Sequence, residues 1–130
     1  MEEITDYLDD EHDEPIVEVG VGGHPDVSLE LHRRGLDVRC TDVVPRETPD
    51  ELEFHVDDVR EPTLELYRDA ETLLSIRPPY ELHEPLRALA KEVDASLVVA
   101  PLPGEEPPWG ELVSRDRRAL YVFRPDGERR

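Results

Sequence analysis

Three glycines crowd the turn that closes the first apolar run, in the stretch Glu18-Val19-Gly20-Val21-Gly22-Gly23-His24-Pro25. Glycine lets a backbone approach a ligand closely, and a helix start just beyond offers unpaired N–H groups. Asp42 closes the next apolar run, 22 residues after Gly20. An ionised carboxylate is acceptor-only and can take both hydroxyls of a ribose. Two further acids, Asp57 and Asp58, end a third run in FHVDDV, and Arg77-Pro78-Pro79-Tyr80 ends a fourth. Guanidinium holds an anion in a two-pronged grip. Together these residues suggest a ligand with a ribose and a second partner with negative charge.

The elements that must position them follow from the spacing of apolar residues. IVEVGV at 16–21, LDVRCTDV at 36–43, ELEFHVDDV at 51–59, AETLLSI at 70–76 and SLVVAPL at 96–102 read as strands. HPDVSLELHRRG is a helix, with Pro25 suited to its first position and Gly35 to its end. ELHEPLRALAKEVDA is another, with Leu82, Leu86, Leu89 and Val93 on one face. PTLELYRD predicts a helical turn, and ELVSRDRRALYVF two strands around a polar turn. The proline-rich stretch PLPGEEPPWGE at 101–111 is a loop. Strands alternating with helices predict one α/β domain over residues 1–130: a Rossmann-like three-layer sandwich of about five mostly parallel strands plus a C-terminal β-hairpin. The acidic segment 1–13, MEEITDYLDDEHD, reads as solvated. In such sheets ligands bind beyond the carboxyl ends of the strands, where the strand order reverses.

The dinucleotide pattern G-x-G-x-x-G matches only in part, because Pro25 stands where its last glycine belongs. Glu18, inside the strand ahead of the first glycine, is no part of that pattern. E-V-G-V-G-G, followed by a Thr-Asp pair closing the second strand, resembles motif I and the ribose acid of class I S-adenosylmethionine-dependent methyltransferases. The resemblance covers roughly residues 14–102. It implies that Glu18 anchors the methionine amino group through water, that Gly20, Gly22 and Gly23 border the cofactor, and that Asp42 holds the ribose. It also puts Asp58, with Asp57 beside it, at the place of the adenine-binding acid. The implied function is binding of S-adenosylmethionine or S-adenosylhomocysteine, and the implied reaction is methyl transfer to an acceptor the sequence does not name.

SIRPPYEL lies where amino-methyltransferases carry Asn/Asp/Ser-Pro-Pro-Tyr/Phe. Pro78, Pro79 and Tyr80 fit that motif and Arg77 departs from it. Arginine has donors only, so it cannot accept a hydrogen bond from a target amine. Arg77, Pro78 and Tyr80 are instead candidates for contact with an anionic substrate. The S-I-R-P-P-x-E-L and P-L-x-G-E runs resemble a small uncharacterised family of archaeal proteins with a shortened methyltransferase-like core. A nucleotide- or dinucleotide-binding module, and a degenerate domain kept for protein–protein contact, stay open as alternatives.

Composition bounds the partners. Asp and Glu number 33 against 15 Lys plus Arg, and Lys91 is the single lysine, so the net charge is −18. Acid excess with lysine avoidance is the composition of proteins in salt-saturated cytoplasm and predicts a haloarchaeal protein. The charge weighs against nucleic acid, which needs a cationic footprint, although less so in molar salt. No apolar run is long enough to span a bilayer, so a cytoplasmic protein is expected. The five histidines show no metal-ligand spacing, and the single cysteine, Cys40, excludes a multi-cysteine metal site. No lysine follows the glycines as a phosphate-binding loop requires, and no nucleophile-elbow serine occurs.

Overall fold

The computed structural model describes residues 1–125. The last five residues of the expected 1–130 domain lie outside the described part. Helix α1 (Glu2–Glu11) precedes strand β1 (Ile16–Val19) and helix α2 (Asp26–Arg33). Strands β2 (Val38–Asp42), β3 (Glu53–Val56) and β4 (Thr72–Ile76) follow, then α3 (His83–Val93), β5 (Ser96–Ala100), β6 (Glu111–Arg115) and β7 (Arg118–Phe123). Short 3-10 turns at Leu64–Leu66 and Tyr80–Leu82 lead into β4 and α3. The strands form one sheet in the order β3-β2-β1-β4-β5-β7-β6. Five strands run parallel, and the hairpin β6–β7 adds to β5 antiparallel. The Rossmann-like three-layer expectation, with five parallel strands and a terminal hairpin, is met.

Side chains alternate across the sheet with a period of two, and each face buries its own set. Val17, Val19, Leu73, Leu97 and Val99 meet Leu86 and Leu89 of α3 on one side. Ile16, Leu74 and Val98 meet Ile4 and Leu8 of α1 and Val27 and Leu31 of α2 on the other. Two apolar faces on the central strands explain why β1, β4 and β5 read as continuous apolar runs. At the end of α2 the N–H of Gly35 donates to the carbonyl of His32 and that of Leu36 to the carbonyl of Leu31, which closes the helix as its sequence predicts.

The N-terminal segment corrects the solvated reading. Ile4, Tyr7 and Leu8 are buried on one face of α1, at the i, i+3, i+4 spacing of an amphipathic helix. Its acids face arginines. Arg34 reaches Asp6 at 2.8 Å and Asp9 at 3.1 Å. Arg118 reaches Glu3 at 3.0 Å, and Arg115 reaches Glu11 at 3.7 Å. The acidic run is therefore a structural helix, clamped to α2 and to the hairpin.

Candidate functional site

The chain leaves β1 for β2 on one side of the sheet, while β4 lies on β1's other flank. Strand order therefore reverses between β1 and β4, and a cleft of about 270 Å³ opens at their carboxyl ends. Gly20 and Gly22 form its floor. Asp42, Asp58 and Arg60 stand on one wall, with Ser75, Arg77 and Pro78 on the other. Val19, Val59, Leu82 and Leu86 supply an apolar interior. Among the described residues three aspartates (Asp42, Asp57, Asp58) and three arginines (Arg46, Arg60, Arg77) line it, a balanced lining in a chain that is not balanced.

The glycine turn is built from its backbone. Gly20 and Gly22 hold φ of 76° and 64°, in the left-handed region, where any other L-residue costs about 1–2 kcal/mol. A Cβ placed on either would meet nothing within 4 Å. Packing does not require glycine there; backbone conformation does, and the space above remains open. Gly20 and Val21 both donate to the carbonyl of Thr41, at 2.9 and 3.0 Å, which ties the turn to β2.

Asp42 completes that tie. Its Oδ2 accepts the Gly22 N–H at 2.7 Å and the Arg46 Nε–H at 3.1 Å. Among the described residues its Oδ1 accepts only a long bond of 3.4 Å from the Val44 N–H. One carboxylate oxygen thus keeps most of its accepting capacity on the cleft wall. The two acids after β3 differ in kind. Asp57 accepts the Thr63 N–H on both oxygens at 3.2 Å and the buried Tyr67 hydroxyl at 2.7 Å, so it is occupied in holding the loop. Asp58 caps the Arg60 N–H with Oδ1, at 2.9 Å, and its Oδ2 accepts no hydrogen bond among the described residues.

Glu18 sits one layer back. It is 1 % exposed and is no part of the cleft wall. Its Oε1 accepts the Ser28 hydroxyl at 2.7 Å, in the first turn of α2. Burial pushes its carboxyl up to about 8, reinforced by the charges of Asp26 and Asp42 and opposed by the Ser28 bond. Near neutral pH it is a largely protonated acid directly beneath the glycine turn. Burial likewise pushes the neighbouring Cys40 thiol up to about 12, as an inert core cysteine requires.

The remaining candidates divide. Arg77 and Pro78 line the cleft. Gly23 does not line it, and neither does Tyr80, which is 48 % exposed and packs edge-on against His83 with ring centroids 5.0 Å apart. Arg46, Arg60 and Ser28 went unread in the sequence. Arg46 lies in an aperiodic loop, and only the fold places it against Asp42. Ser28 looked like one more polar helix residue, although its place one turn into α2, facing β1, made it a natural partner for a buried acid.

This architecture is shared with Rossmann-like methyltransferases. An RNA methyltransferase from Salinibacter ruber in complex with S-adenosyl-L-homocysteine superposes with a TM-score of 0.62 at 16% identity, covering 93% of this chain and 89% of that one. The sugar N-methyltransferase KedS8 from Streptoalloteichus superposes with a TM-score of 0.57 at 15% identity, covering 92% of this chain. This chain spans only 55% of KedS8 and 37% of the bifunctional kinase-methyltransferase WbdD. At these identities the likeness is one of fold.

The chain itself belongs to the uncharacterised protein family UPF0146, whose model matches residues 1–124. A UPF0146 protein of Archaeoglobus fulgidus is 39% identical over 105 residues, 81% of each chain. One of Halobacterium salinarum is 36% identical over 111 residues, 84% of this chain and 86% of its own.

Proposed function

We propose that the cleft binds S-adenosylmethionine or S-adenosylhomocysteine. The observation that carries this reading is Asp42, tied through Oδ2 to the glycine turn while Oδ1 stays lightly engaged at the switch point of the sheet. That pairing suits an adjacent pair of ribose hydroxyls. Asp58, with a carboxylate oxygen to spare, takes the adenine amino group against the apolar wall of Val59 and Leu86. Glu18 supplies the counter-charge for the methionine ammonium through a water, and the open space above Gly20 and Gly22 admits the methionine chain. The balance of aspartates and arginines suits a ligand with both positive and negative groups. When bound, S-adenosylmethionine supplies an electrophilic methyl group on a sulfonium, and transfer needs alignment more than acid–base help. The protein's part is then to orient the ligand and exclude water.

Calorimetric titration in molar KCl with S-adenosylmethionine, S-adenosylhomocysteine and NAD in parallel tests this. Saturable binding of the first two and not of NAD is expected, weakened by about tenfold or more in Asp42→Ala. Binding of NAD alone would favour a dinucleotide module. Heat from none of the three would favour a domain kept for protein contact.

A further inference from the structure

A second hollow, of about 750 Å³, opens past the carboxyl end of β5 against the β6–β7 turn. Its charged lining is Arg77, Arg117, Arg118, Glu3, Glu106 and Asp116. Among the described residues Arg77 alone lines both this hollow and the cofactor cleft. Its backbone stands at φ 53°, with its N–H donating to the Ala100 carbonyl at 2.6 Å. A non-glycine residue held there costs about 1–3 kcal/mol, and such strain concentrates where a side chain is used. Glycine or asparagine would occupy the turn more easily.

The arginines around the hollow are not equivalent. Arg118 is committed to Glu3, with two bonds at 3.1 and 3.0 Å to one oxygen. Arg33, Arg34, Arg39, Arg46, Arg87 and Arg115 likewise each reach a carboxylate within 4.0 Å. Among the described residues Arg77 and Arg117 reach none. In a chain with 33 acids against 15 cations, two guanidinium groups free of acids on the wall of one hollow are available to an outside anion.

We propose that this hollow holds the methyl acceptor, a small molecule carrying an oxyacid group that Arg77 and Arg117 grip, its nucleophilic end passing Arg77 into the cleft. The inference rests on the cofactor reading above. In the transfer it implies, the acceptor's lone pair forms the bond to the methyl carbon. The carbon–sulfur pair returns to sulfur, and the acceptor's proton leaves to water. Two guanidinium groups suffice to grip one oxyacid and form no run of cations that could track a polyphosphate backbone, so the acceptor is a small anion and not a nucleic acid.

The test is calorimetry in molar KCl with inorganic phosphate and with succinate, each before and after saturation with S-adenosylhomocysteine. Wild type is compared with Arg77→Gln, Arg117→Gln and Arg68→Gln. Arg68 is exposed, lacks a carboxylate partner among the described residues and lines neither hollow, so it controls for lost charge. Saturable binding of one probe is expected, and that probe names the oxyacid. It should weaken by about tenfold in the first two variants and be unchanged in the third, with melting curves alike. No saturable binding, or equal binding in all four proteins, overturns the inference. If S-adenosylhomocysteine still binds, the cofactor reading survives that failure. Anion binding in a protein that takes no S-adenosylhomocysteine overturns the acceptor role through the cofactor reading. Arg77-dependent binding of a short single-stranded RNA in preference to both probes overturns the choice of a small molecule.

Discussion

Glu18 titrates differently in the folded and the unfolded chain. Its carboxyl ordinarily titrates near 4.5 and in the fold near 8. Between those values the folded protein keeps a proton that the unfolded chain has lost. Stability therefore falls as pH rises through that window, and the penalty is fully present above about 8. Glu18→Gln cannot ionise and escapes it. Its melting temperature should exceed that of the wild type by a margin that widens from about pH 5 to about pH 8. A margin independent of pH would show that Glu18 is not buried as an acid. If Glu18 serves the methionine ammonium, an incoming cation favours its charged form. Binding of S-adenosylmethionine near pH 7 then releases a proton. The measured heat should scale with the ionisation enthalpy of the buffer, and a heat insensitive to buffer would remove Glu18 from the site.

The elements hold these residues through a few specific ties. Tyr67 is fully buried and donates to Asp57 at 2.7 Å, while Thr41 lies 3.2 Å from its hydroxyl. It joins the loop after β3 to the end of β2, so both aspartate walls depend on it. Tyr67→Phe leaves a carboxylate short of one donor and should cost about 1.5–3 kcal/mol in denaturant unfolding. A loss below about 0.5 kcal/mol would mean the loop is held by other contacts. Leu8→Ala in α1 should cost about 2–5 kcal/mol, the range for truncating a buried leucine. An unchanged unfolding curve would return α1 to solvent. The strands were legible because β1, β4 and β5 carry apolar residues for two faces. The glycine turn was legible because backbone conformation at Gly20 and Gly22 restricts residue type. Helix α1 was legible too, in the spacing of Ile4, Tyr7 and Leu8, but its six acids drew the reading toward solvent. The division of labour between Asp57 and Asp58 was hidden, since adjacent aspartates look alike until Tyr67 folds back onto one of them. Arg46 and Arg117 sit in turns with no period, so only their tertiary partners, or the lack of them, single them out.

At the scale of the whole molecule, charge dominates. An excess of 18 negative charges repels itself in dilute buffer, and molar salt shortens the range of that repulsion to a few ångström. The melting temperature should therefore rise from low to molar KCl. A protein most stable in dilute buffer would contradict a salt-adapted surface. Salt also screens the pairs that clamp α1. The net rise then depends on repulsion outweighing them, as expected for exposed pairs worth little each.

The position of β7 bears on how the chain acquires its shape during synthesis. β7 sits between β5 and β6, and its first residue, Arg118, holds Glu3 of α1. Until residues 118–123 have left the ribosome, β5 presents an unpaired edge. Through the same interval α1 lacks the arginines of the hairpin, so its contact with the first elements made is incomplete. Cooperative closure must await residues 118–123, and from the completion of β5 at Ala100 until then the nascent chain carries that edge open to other strands.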